Sequence, residues 1–106
     1  VTSVTAVENN KFIMAVCKFS AGPIVTLNFL YREPYVFHLS AFGKKGHSDH
    51  KVDSATSYSE GLKVIMDMMR TGKWPLTQQQ LLEPIQVLAA VNKSLAEKRE
   101  VLLTEV

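Results

Sequence analysis

The chain has 106 residues, 46% of them hydrophobic, and its 12 Lys and Arg stand against 10 Asp and Glu for a net charge of +2. That is one domain of sequence, able to bury roughly two thirds of the surface its unfolded form would expose and apolar enough to fill a core without staples. The scattered, nearly balanced charge excludes a basic footprint for nucleic acid, no apolar run approaches the roughly 20 residues of a membrane span, and a single Cys17 excludes an internal disulfide.

Val1-Thr2-Ser3 is neither an initiator start nor a charged leader, so the chain reads as an excised or processed piece of a longer protein. The unpaired Cys17 fits a reducing compartment, and a cytoplasmic location is expected. Ser3 to Val7 reads as a first strand, ended by Glu8-Asn9-Asn10. Lys11 to Ser20, rich in Phe, Ile, Val and Met, is a second strand, and Ala21-Gly22-Pro23 breaks it before Ile24 to Tyr31 resumes the extended pattern. Arg32-Glu33-Pro34 is another break, because Pro34 removes a ladder donor and biases Glu33 away from helix. Tyr35 to Phe42 then makes a strand, Gly43-Lys44-Lys45-Gly46 turns the chain, and a short return strand is expected near Lys51 to Asp53.

Beyond residue 57 the hydrophobic period changes from two to that of a helix. Ser57 and Glu60 have capping-box spacing, and Leu62, Ile65, Met66 and Met69 share one face of a helix that Gly72 can end, with Arg70 and Lys73 favoured at its negative pole. Thr77 and Gln80 repeat the capping-box spacing, and Leu81, Ile85, Leu88, Val91 and Leu95 draw a stripe along a second helix. Pro84 predicts a kink, or a short opening turn and a fresh start near Glu83, while Ala89 and Ala90 allow close approach to a neighbour. After Lys98-Arg99, Glu100 to Leu103 can return to the sheet as an edge strand.

The expected fold class is therefore α+β: an open, mostly antiparallel sheet of four or five strands with two C-terminal helices packed on one face. In the second strand Phe12, Met14 and Val16 point one way and Ile13, Ala15, Cys17 and Phe19 the other, so both faces are apolar. In the next two strands Val25, Leu27, Phe29, Tyr31, Tyr35, Phe37, Leu39 and Ala41 form an apolar set. Opposite them Thr26, Asn28, His38 and Ser40 lie among Ile24, Leu30, Val36 and Phe42. Two helices cover one face only. The mixed face is thus the expected surface for a partner, either a second copy of the chain or a missing domain.

The run from Tyr35 to Gly46, then Tyr58 to Gly72, then Leu81 to Leu103 resembles the C-terminal portion of the glucose-fructose oxidoreductase, inositol dehydrogenase and MocA family. The resemblance rests on a Gly-x-Lys-Gly hairpin at Gly43-Lys44-Lys45-Gly46 and a helix-ending turn at Arg70-Thr71-Gly72-Lys73-Trp74-Pro75. It also rests on a Ser-containing helix end at Ser94 before the strand Val101-Leu102-Leu103. Lys98-Arg99-Glu100 departs from the pattern, which has Gly, a basic residue and Pro there. The resemblance implies a parent protein in which an N-terminal Rossmann domain binds NAD or NADP, and this sheet domain lines the substrate site and builds the homo-oligomer. The chain has no glycine-rich phosphate loop, no Glu-Lys-Pro motif and no helix with the family's Asp and His pair. Hence no cofactor is expected on this piece, and no catalytic residue transfers to it.

Other chemical candidates come from single residues. Asn28, Arg32 and His38, close in the expected hairpin, could contact substrate or a partner subunit, although a hydrogen-bonded structural histidine is the simpler reading of His38. His47, Asp49, His50 and Asp53 could ligate a divalent ion, but a hydrated loop also collects such residues and no further ligand cluster accompanies them. Cys17, on an apolar strand, reads as a small buried hydrophobe rather than a nucleophile. Met66, Met68 and Met69 read as gap-filling packing, and Trp74 as an edge cap. Two function classes follow: the substrate-side and oligomerisation domain of an NAD(P)-dependent oxidoreductase, inactive by itself, or a free-standing interaction module without enzyme activity.

Overall fold

The computed structural model describes residues 1–31 and 36–106, and the chain divides into two compact units, Val1–Glu33 with Leu76–Val106, and Pro34–Pro75. The first unit holds strands β1 (Ser3–Glu8), β2 (Phe12–Lys18) and β3 (Val25–Leu30), helix α2 (Gln78–Glu97) and strand β6 (Val101–Leu102), followed by a 3-10 turn at Leu103–Glu105. The second holds β4 (His38–Gly43), β5 (Gly46–Lys51) and α1 (Ser57–Thr71). The architecture is α+β with an open antiparallel sheet and both helices after the five main strands.

Local chemistry explains the strand breaks. The Asn9 side-chain carbonyl accepts from the backbone N–H of Lys11 at 2.8 Å and of Phe12 at 3.1 Å, so the chain reverses there and β2 folds back on β1. Gly22, at φ 124°, takes a conformation that L side chains rarely adopt in the turn to β3. The sheet runs in the order β3-β2-β1-β6, every pair antiparallel. Its register sets Val4 opposite Cys17 and Cys17 opposite Val25, with Ala6 opposite Ala15 and Ala15 opposite Leu27. Because side chains alternate, these residues share one face, and that face carries the core.

Helix α2 closes this face. Thr77 accepts from the Gln80 backbone N–H while the Gln80 side chain accepts from the Thr77 N–H, which is the expected capping box. The helix buries Val87, Ala90, Val91 and Ser94, which join Val4, Ala6, Ala15, Cys17, Val101 and Leu103 in the core. The expected stripe is thereby corrected, since Val91 is buried but Leu81, Ile85 and Leu88 are 44%, 64% and 50% exposed. The sheet floor beneath α2 is made of small side chains, and only a small helical face with Ala90 at its centre can approach it closely. The helix also runs unbroken through Pro84, instead of restarting at Glu83. Pro84 lies on an exposed side, where water can satisfy the Gln80 carbonyl that the ring leaves without its donor.

Ser94 ties the end of α2 to the sheet. Its hydroxyl, fully buried, accepts from the Ala6 N–H at 2.9 Å and donates to the Arg99 carbonyl at 2.6 Å. Strand β6 pairs with β1 only at Ser3 and Val4, so Ser94 takes over as partner where that short ladder has ended. Between helix and strand, Lys98 adopts φ 53°, a left-handed conformation that Gly takes more readily than a residue with a side chain.

In the second unit β4 and β5 form a hairpin with Gly43 opposite Gly46, joined by Lys44-Lys45, and Gly46 has φ 134°. The expected single sheet of four or five strands is thus a four-stranded sheet and a separate two-stranded one. The return strand begins directly at Gly46 rather than near Lys51, because the tight turn lets pairing start at once. Helix α1 ends as predicted on Gly72 at φ 67°, whose N–H donates to the Met68 carbonyl at 2.8 Å. Its expected capping box is absent: Thr56 is the N-cap without a side-chain bond, and Glu60 accepts from Lys63 instead. Helix α1 buries none of its residues, and within the first unit α2 packs on the sheet.

Candidate functional site

The reverse face of the four-stranded sheet is the broadest candidate surface of the first unit. Alternation that sends Ala15 and Cys17 under α2 turns Phe12, Met14 and Val16 to the other side, where β1 adds Thr5 and Val7 and β3 adds Thr26, Asn28 and Leu30. Met14 stands between Val7 and Asn28, and Val16 between Thr5 and Thr26. Val7, Met14 and Leu30 are exposed, and Phe12 and Val16 are half-buried among their neighbours. Apolar residues dominate the centre. At one end Lys18 donates to Glu100 at 2.9 Å, and the Ser3 hydroxyl donates to the same carboxylate, so these charges are matched locally. The Ser3 hydrogen bond, with Lys18 as the second cause, holds Glu100 below the ordinary carboxylate range.

A second candidate lies on one face of the β4–β5 hairpin. Ser40 and Asp49 are cross-strand partners, and the Ser40 hydroxyl donates to Asp49 Oδ1 at 2.6 Å. His38 Nε2 lies 3.8 Å from Oδ1 of Asp49, and His47 Nε2 lies 3.8 Å from its Oδ2. Phe42 stacks on the His47 ring with centroids 6.1 Å apart. The two imidazoles approach different oxygens of one exposed carboxylate rather than converging on a common point. No group of three His, Cys, Asp or Glu among the described residues is placed to hold a metal ion. The run considered for metal binding is divided by the pleat: His50 pairs with Leu39, one residue out of phase with His47 and Asp49, while Asp53 lies beyond β5 and accepts from the Ala55 N–H.

Of the three residues expected on the partner-facing surface, Asn28 is exposed on β3 of the first unit and His38 on β4 of the second. Arg32 lies outside the described residues. Cys17 is buried, and that burial pushes its thiol up, so it packs as a neutral side chain. Val7 was not anticipated on the open face. The signal was available, since Val4 and Ala6 are the pair that can lie against small core neighbours, which turns Val7 outward.

A further charged cluster locks the C-terminal turn. Arg99 donates through Nη1 and Nη2 to the two Glu105 oxygens at 3.2 and 2.7 Å, and the Leu102 N–H donates to Glu105 Oε1 at 2.8 Å. The Arg99 bonds, followed by the Leu102 amide, push the Glu105 carboxyl down to about 2. The fork holds the short chain from Arg99 to Glu105 in the shape that presents Val101 to β1. No helix among the described residues is long and apolar enough to cross a membrane. Comparison with protein-family models, with curated proteins and with solved structures finds no match to this chain.

Proposed function

We propose that the chain is the sheet domain of an NAD(P)-dependent oxidoreductase of the glucose-fructose oxidoreductase, inositol dehydrogenase and MocA type, serving as substrate-side wall and oligomerisation platform. The observation that carries the reading is an open sheet with α2 on one side and an apolar reverse face on the other. The local roles of the resembled motifs support it: Gly46 and Gly72 take positive φ, and Ser94 joins the helix end, β1 and the turn before β6. In this reading hydride transfer occurs between cofactor and substrate held by a preceding Rossmann domain in the cytoplasm, and the present chain supplies surface rather than chemistry.

The size of the face bounds what it can do alone. Three strands about 20 Å long at a spacing of about 4.8 Å present roughly 300 Å² of projected area, short of the roughly 800 Å² per partner of a standard interface. The isolated chain should therefore self-associate weakly, through a face that Met14→Asp interrupts at its centre. Sedimentation at increasing concentration tests this: a reversible dimer that Met14→Asp abolishes is expected, and a strict monomer, or a dimer indifferent to the substitution, overturns the interface. The oxidoreductase part is tested by extending the chain with the residues encoded directly upstream of Val1. Calorimetry should show NAD or NADP binding by the longer protein and none by the present chain; a longer protein that binds neither refutes it.

A further inference from the structure

We draw no further inference here: the strongest candidate, the outward aliphatic stripe of α2 at Leu81, Leu82, Ile85 and Leu88, is an exposed apolar helix face and nothing in the structure shows what covers it.

Discussion

Replacing Ser94 by Ala removes one oxygen from a site with no access to water, and its consequences can be worked from the two bonds that oxygen makes. The Ala6 N–H loses its acceptor at an interior position, and the Arg99 carbonyl loses a donor at a half-buried one. A buried polar group left without a partner costs about 1 to 3 kcal/mol, so the pair loses roughly 2 to 4 kcal/mol once the less buried carbonyl is discounted. Alanine returns about 0.5 kcal/mol through its better helix propensity, leaving a net loss of about 1.5 to 3.5 kcal/mol. For a domain of about 100 residues each kcal/mol lowers Tm by about 4 to 8 °C, so thermal unfolding followed by circular dichroism should move down by roughly 6 to 28 °C. Ser57→Ala, in α1 where no side-chain cap bond exists, is the matched control and should move Tm little. Amide exchange locates the effect: the Ala6 amide should lose protection in Ser94→Ala under native conditions, while the Ala15 amide in the neighbouring ladder keeps it. A Ser94→Ala variant as stable as the Ser57→Ala control, with Ala6 still protected, would refute the reasoning.

Three further perturbations probe the same unit. Lys98→Gly should stabilise by about 0.5 to 1 kcal/mol, because relief of a left-handed backbone at φ 53° outweighs the greater freedom of Gly in the unfolded chain; a lower urea midpoint would contradict this. Thr77→Ala removes the acceptor for the Gln80 N–H and breaks the capping box of the helix that covers the core, for an expected loss of about 1 kcal/mol measured by urea unfolding. Glu105 titrates near 2 in the folded chain against an ordinary value of 4.5, so its contribution is complete above about 4.5 and is lost as the pH falls toward 2. Glu105→Gln should flatten the acid limb of the stability curve, and an acid limb unchanged from the parent would show that the Arg99 fork contributes nothing to folding.

Alternation made β1, β2 and β3 legible, because a half-covered strand must send successive side chains to opposite sides, and Glu8-Asn9-Asn10 and Ala21-Gly22-Pro23 mark where pairing stops. The ends of both helices were equally readable where one residue has a specific task, as Gly72 does in its left-handed cap and Thr77 in its capping box. The buried side of α2 was not. Large aliphatic residues at Leu81, Ile85 and Leu88 carry the strongest periodic signal, yet the sheet selects by fit, and its floor of Val4, Ala6, Ala15 and Cys17 accepts Val87, Ala90, Val91 and Ser94. Hydrophobic periodicity weighs residues by transfer free energy, whereas close approach of a helix to a sheet rewards small ones. Ala89 and Ala90 hinted at that approach, and Ser94 follows Ala90 by one helical turn.

The same distinction separates what can be read of the candidate site from what cannot. A face is specified by parity, so Phe12, Met14 and Val16 could be assigned together once Ala15 and Cys17 were placed in the core. A constellation such as Asn28, Arg32 and His38 depends instead on which strand lies beside which, and strand neighbourhood is set by contacts between residues far apart in the chain. In the structure β3 belongs to the β3-β2-β1-β6 sheet and β4 pairs with β5, so Asn28 lies beside Met14 of β2, and His38 beside Asp49 of β5. Asn28 and His38 thereby acquire neighbours that their own segments do not predict. A surface built by parity tolerates that uncertainty, since any strand in phase extends it. A catalytic constellation would not, and the proposal of an interface therefore rests on the part of the chain where the physical constraint is strongest.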